Sequence, residues 1–182
     1  MAEANFENWI TKNLTEFSSS NITKLATGIF AYQHQLVTVN IPNVTGLSEG
    51  CFYYCDNLEN LTTGSLVRLE SDCLCGCSSI AYLDVSQVTY VGTNAFNGNS
   101  SLTSLDFASL EVLADGALWS LSVDKVWIPS TCIINGRNFY TYNQNLKIFT
   151  DAETKPESWS NDWNYNNSEV VWGATHADFE NA

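Results

Sequence analysis

Apolar residues return at a fixed interval along most of this chain. Leu25, Leu47, Leu69, Val91 and Leu113 stand 22 residues apart, and so do Phe30, Phe52, Leu74, Phe96 and Leu118. Leu36, Leu58, Ile80 and Leu102 form a third series; Val39, Leu61, Leu83 and Leu105 form a fourth. An apolar pattern repeated at one such interval is the mark of a solenoid, in which each copy buries its core only against its neighbours. The segments 13–25, 35–47, 57–69, 79–91 and 101–113 align without a gap. A further copy, 122–134, aligns once one residue is deleted, and a degenerate copy at 144–151 closes the array.

Within a copy the spacing LxxLxL, as in Leu36, Val39 and Ile41, ends in an alternation of period two. Side chains of a strand point alternately to its two faces, so Val39 and Ile41 face inward while Thr38 and Asn40 face outward. Strands of successive coils are then expected to pair as a parallel sheet with a spacing of about 4.8 Å. Pro42 and Pro129 follow the strands, where a missing N–H does least harm. The second half of each copy offers a small or apolar residue and then an aromatic or Leu: Ile29-Phe30, Cys51-Phe52, Cys73-Leu74, Ala95-Phe96, Ala117-Leu118. These pairs are expected to plug the opposite wall of the coil.

Three regions follow. Residues 1–13 place Phe6, Trp9 and Ile10 at helical spacing behind Asn5, a good cap, and predict a short helix over the open N-terminal end. Residues 14–151 form the solenoid. Residues 152–182 break the pattern, hold three of the six Trp and end in a strand-like run, Glu169 to Trp172. They read as an irregular C-terminal cap with a loose tail after Gly173.

The 22-residue unit resembles the BspA-like leucine-rich repeat family. The matching residues in one copy are Leu36, Val39, Ile41, Pro42, Val44, Leu47, Cys51, Phe52, Cys55 and Leu58; in another they are Val88, Val91, Ala95, Phe96, Leu102, Leu105 and Phe107. The resemblance spans about residues 14–150. It implies a mainly β, right-handed leucine-rich-repeat coil that binds other macromolecules, of the adhesion or receptor-binding type. The ending KPESWSNDWN…VVWG is similar to terminal segments of such proteins from gut bacteria and their phages.

Charge narrows the partners. Twenty acidic against seven basic residues give a net charge of −13. Phosphate recognition needs Lys and Arg, so nucleic acid is an unsuitable partner, and an anionic membrane surface is disfavoured. No basic-then-apolar leader opens the chain and no run of about 18 apolar residues exists. A virion-associated or intracellular location is therefore expected ahead of classical secretion.

Five of the six cysteines lie between residues 51 and 77. Cys51 and Cys73 take the slot that holds Ala in later copies, and Cys55 and Cys77 take the family's frequent Cys slot, so they read as core filler rather than zinc ligands. The CxxC spacing of zinc sites is absent and no His is near. Stacked Cys51–Cys73 or Cys55–Cys77 would lie within disulfide range; free buried thiols are the expected state. Six N-x-S/T sequons, at Asn13, Asn21, Asn43, Asn60, Asn99 and Asn166, are read as turn chemistry.

The outward strand positions form the candidate binding surface. One column is Glu16, Thr38, Asn60, Tyr82, Ser104, Lys125; the next is Ser18, Asn40, Thr62, Asp84, Asp106, Trp127. Of these, Thr38, Asn40, Asn60, Thr62, Tyr82, Asp84, Ser104, Asp106, Lys125 and Trp127 are the predicted binding residues. Tyr82 and Trp127 stand out as aromatics at a recognition face; the alternative for Trp127 is packing under the C-terminal cap. Asp84 and Asp106 fall in adjacent coils, where a cation, a basic partner or solvent would relieve their repulsion. No nucleophile elbow, phosphate loop or histidine-rich metal motif occurs, and His34 and His176 are the only histidines. The expected function is a non-catalytic scaffold without cofactor or metal that binds a protein or glycan. A phage virion component, with assembly into the particle or a homo-oligomer, is the alternative, and an acidic inhibitor of a basic protein a weaker one.

Overall fold

The computed structural model describes residues 14–141 and 143–182; the predicted N-terminal helix lies outside them. Twelve short strands and one helix succeed one another: β1 (Glu16–Ser18), β2 (Thr38–Ile41), β3 (Gly46–Leu47), β4 (Asn60–Thr63), β5 (Arg68–Leu69), β6 (Tyr90–Val91), β7 (Ser104–Asp106), β8 (Val112–Leu113), β9 (Lys125–Trp127), β10 (Ile133–Ile134), β11 (Lys147–Phe149), β12 (Glu169–Val171) and α1 (His176–Glu180). All strand pairs are parallel and join successive coils. The architecture is the mainly β repeat solenoid that the period predicts. The one-residue deletion is visible in the register: Thr38 pairs with Asn60, 22 on, but Ser104 pairs with Lys125, 21 on.

Each coil has three walls. The first carries the LxxLxL strands, with Val39, Ile41, Leu105 and Val126 fully buried behind it. The second is a five-stranded ladder in the order β10-β8-β6-β5-β3. Its strands are two residues long, one facing in (Leu47, Leu69, Val91, Leu113, Ile134) and one facing out. The third is a stack of turns. Phe30 N–H donates to Cys51 C=O at 2.9 Å, Phe52 to Cys73 at 3.0 Å, Leu74 to Ala95 at 3.1 Å and Phe96 to Ala117 at 3.0 Å. The side chains of Phe30, Phe52, Leu74 and Phe96 are buried behind this wall, and Phe30 and Phe52 lie parallel at 5.2 Å.

Two positions of every turn are left-handed. The first column is Gly28, Gly50, Asp72, Asn94 and Gly116, with φ between 55° and 68°. Gly, Asn and Asp tolerate this region best. The second column is Tyr32, Tyr54, Gly76, Gly98 and Ser120, with φ of 60°, 55°, 77°, 77° and 53°. Tyrosine is an unusual occupant there.

All six cysteines are free and buried. Their roles differ by column. Cys55 Sγ donates to Phe30 C=O at 2.9 Å and Cys77 Sγ to Phe52 C=O at 3.1 Å. Asn99, the next member, does the same through Nδ2 to Leu74 C=O at 2.9 Å. The slot therefore calls for a compact donor that satisfies a carbonyl in the preceding coil. Burial pushes the Cys55 thiol up to about 12 and the Cys75 thiol up to about 11.

Residues beyond 151 extend the coil without its leucines. β12 pairs with β11 in the common register, and Trp159 bridges to Ile134 on the second wall. Trp159 and Trp163, with rings 4.5 Å apart, fill the last turn, and Trp163 stands edge-on to Phe139. The tail after Gly173 is docked, contrary to the loose end expected.

Candidate binding face

The first wall is not one continuous sheet. Its strands form a three-stranded sheet β1-β2-β4 and a four-stranded sheet β12-β11-β9-β7. Between them the copy Tyr82–Asp84 adopts no strand, so β4 and β7 each present an edge to it. The local cause is Asp84. Its Oδ1 accepts the Ser86 N–H at 3.0 Å and the Ser86 hydroxyl at 2.7 Å. An aspartate that binds the backbone two residues on offers the chain a turn in place of a ladder. The signal was present in the sequence as Asp-Val-Ser, where other copies have Asn-Ile-Pro or Asp-Phe-Ala.

The interruption opens a cleft of about 320 Å³ lined by residues of β4, the Gly64 loop, Tyr82, Leu83, Asp84 and Gln87. Gly64 fits closely here: a Cβ would lie 3.0 Å from the Pro42 carbonyl oxygen and 3.2 Å from that of Val44. Tyr82 stands at the rim with 74% of its surface exposed. Asn40, Asn60, Thr62 and Asp84 are also exposed, and Thr38 is half-buried. Five predicted residues, Asn40, Asn60, Thr62, Tyr82 and Asp84, thus line an open surface.

The other end of the wall is covered by the chain's own tail. Thr175 caps α1 in a reciprocal box with Asp178. The helix lays Phe179 beside Trp127, ring centroids 6.2 Å apart, and Phe149, 5.7 Å apart. Lys125 Nζ donates to Phe179 C=O at 2.7 Å and Ala182 C=O at 3.1 Å. His176 Nε2 lies 2.9 Å from Asp106 Oδ2, and the bond to Asp106 raises the His176 pKa above its ordinary value. The expectation of an exposed aromatic at Trp127 is corrected in favour of its alternative, packing under the C-terminal cap: it is 6% exposed, because the tail packs on it. Asp106 and Lys125 are present on the face but engaged by the tail, and Ser104 is half-buried. His176 also supplies the hydrogen-bonding partner for Asp106, while Asp84 is held by Ser86. The docking of the tail is not legible in the sequence because the tail lies outside the repeat and its partners are far along the chain, 70 residues for His176–Asp106 and 54 for Lys125–Phe179.

Among the described residues no group of three or more His, Cys, Asp and Glu is placed to hold a metal, and no helix is long and apolar enough to cross a membrane.

The family model for the BspA type leucine rich repeat region matches residues 23–147 in six copies. The chain belongs to the BspA-type leucine-rich repeat family. The comparison with curated proteins returns no match. Membership supports a repeat-based binding scaffold, and the matched span contains the broken strand wall, the cleft and the whole turn stack from Gly28 to Ser120.

Proposed function

We propose that this BspA-type repeat is a non-catalytic scaffold that binds a protein partner at the open half of its strand wall, centred on the cleft beside Tyr82. The carrying observation is the interruption itself: one coil gives up its strand, and the exposed side chain it presents is an aromatic. Exposed aromatics with a rigid support are where interface energy concentrates. The net charge of −13 and the carboxylate of Asp84 suit a basic partner segment.

A random-peptide library selected against the purified chain tests this. The selected peptides should be rich in Lys and Arg, and their affinity should fall as salt is raised. Tyr82→Ala should weaken them roughly tenfold or more, in line with an interface anchor, with Asp84→Asn reducing the salt dependence. Unchanged affinity in the folded Tyr82→Ala variant would refute the assignment.

A further inference from the structure

The turn wall carries a second surface. Tyr32, Tyr53 and Tyr54 gather there from two successive coils. Tyr32 and Tyr54 lie nearly parallel, at 13° with centroids 6.0 Å apart, and Tyr53 stands edge-on to both at 5.3 and 4.7 Å. Tyr32 and Tyr54 are 58% and 45% exposed. A tyrosine in a left-handed backbone position is strained, and glycine takes the same column in the next two coils without cost. Strain of this kind persists where it serves a site.

Past Tyr54 the column falls away to glycine. A Cβ on Gly76 would come 3.1 Å from the Tyr54 ring, so the ring rests against bare backbone. Beside it opens a cleft of about 300 Å³ lined by Tyr54, Asp56, Cys75, Gly76, Ser78, Asn97 and Gly98. Its polar groups combine acceptors and donors, the Tyr54 hydroxyl among the donors. The Asp56 carboxylate is half-exposed, with one oxygen 2.8 Å from His34 Nδ1. The Ser78 hydroxyl is already donating to Asp56 C=O at 3.2 Å. Asn97 adds an amide.

We propose that this platform is a binding site for neutral oligosaccharide. The π-face of an aromatic ring is electron-rich and attracts the positively polarised C–H face of a sugar ring. A carboxylate at the edge of the ring accepts from sugar hydroxyls, and the amide both donates and accepts. A proline-rich peptide also docks on aromatic grooves. It presents carbonyls and lacks N–H groups, so it leaves the Asp56 carboxylate without a donor, which a sugar hydroxyl supplies. Acidic sugars are disfavoured by the net charge of −13. The site rests on observations separate from the strand-wall cleft.

Isothermal titration of the full chain with neutral hexaoses of glucose, mannose, xylose and N-acetylglucosamine, and with a proline decamer, decides the matter. At least one hexaose should bind, and Tyr54→Ala and Asp56→Asn should each weaken it roughly tenfold, the loss of one stacking or charge-assisted contact. The double variant Tyr32→Gly/Tyr54→Gly suits the left-handed backbone, so it should keep its fold and lose the sugar. Tyr82→Ala should leave sugar binding unchanged, which separates this site from the strand wall. Binding of the proline decamer with no hexaose bound overturns the proposal. So does the absence of binding to every hexaose, or undiminished sugar binding by the folded double glycine variant.

Discussion

Replacing Phe179 by Ala should free the tail while leaving the solenoid intact. Phe179 belongs to a small cluster with Trp127, Phe149 and Ala174, separate from the main core. Burying a Phe side chain contributes about 1.5–3 kcal/mol, and an aromatic pair adds about 0.5–1.5 kcal/mol. Phe179 meets Trp127 at 6.2 Å and Phe149 at 5.7 Å, and Lys125 Nζ lies 4.9 Å from its ring. A loss of about 3 kcal/mol, taken from burial plus one good pair, lowers the docking constant about 150-fold. Amide exchange followed by mass spectrometry should show protection lost across α1. The denaturant midpoint of the whole chain should move little, since a satellite cluster opens on its own. The reasoning fails if the variant exchanges its tail no faster than the parent. It fails equally if tail and solenoid amides exchange together and the global midpoint drops by the full amount.

The same tail should respond to pH. The bond to Asp106 raises the His176 pKa above 6.5, and the Asp106 and Glu180 charges act in the same direction against partial desolvation. A raised histidine pKa makes docking strongest below about 6.5 and weakens it as pH climbs through the docked value, so tail protection, corrected for intrinsic exchange, should be greater at pH 6 than at pH 8 and lose that difference in His176→Gln. Gly92→Ala should destabilise the solenoid, because its Cβ would lie 2.5 Å from Ser71 N and 2.7 Å from Glu70 C, both backbone atoms of the stacked coil; overpacking of this kind costs about 1–3 kcal/mol, read as a lower denaturant midpoint. The thiols should be inert in the folded chain: at pH 8 a Cys75 pKa of about 11 leaves about one thiolate in a thousand, and Cys55 and Cys132, at about 12, have fewer. Fast thiol titration of the native protein would contradict their placement.

Periodic features were legible and aperiodic ones were not. The inward residues Leu36, Val39 and Phe52 could be read because each recurs in the same environment, and the deletion before 122 predicted the 21-residue step seen at Ser104–Lys125. The second wall escaped notice because a strand of two residues, such as Arg68–Leu69, shows no alternation to detect. The left-handed columns did leave a trace: Gly28, Gly50, Asp72, Asn94 and Gly116 are the residue types such a backbone favours. Tyr32 and Tyr54 hid that trace in the second column, and their mismatch with Gly76 and Gly98 is the stronger pointer to a site. For Trp127 the repeat leaves exposure and packing under the C-terminal cap both open, because its cover comes from Phe179, which belongs to no repeat.

The interrupted strand wall raises the question of how the coil survives the break. Repeat proteins hold together through nearest-neighbour interfaces, and a missing ladder at one interface weakens that link. At the coil of Tyr82 the other two walls stay continuous. Arg68–Leu69 pairs with Tyr90–Val91, which pairs in turn with Val112–Leu113. The turn stack runs through the same point, with Asp72 N–H donating to Thr93 C=O at 2.9 Å and Gly76 N–H to Asn97 C=O at 2.7 Å. Leu83 remains 6% exposed and Val85 1% exposed, so the core under the gap is filled. The strand wall can therefore give up its hydrogen bonds locally, because the second sheet and the turns fix the spacing of the coils. This division of labour lets an Asp-Val-Ser turn replace a strand and open a cleft without dividing the solenoid. Replacing Asp84 and Ser86 by Asn and Pro, as in the copy at 40–42, should restore the ladder and close the cleft, and an unchanged amide-exchange pattern at 82–84 would show that another constraint holds it open.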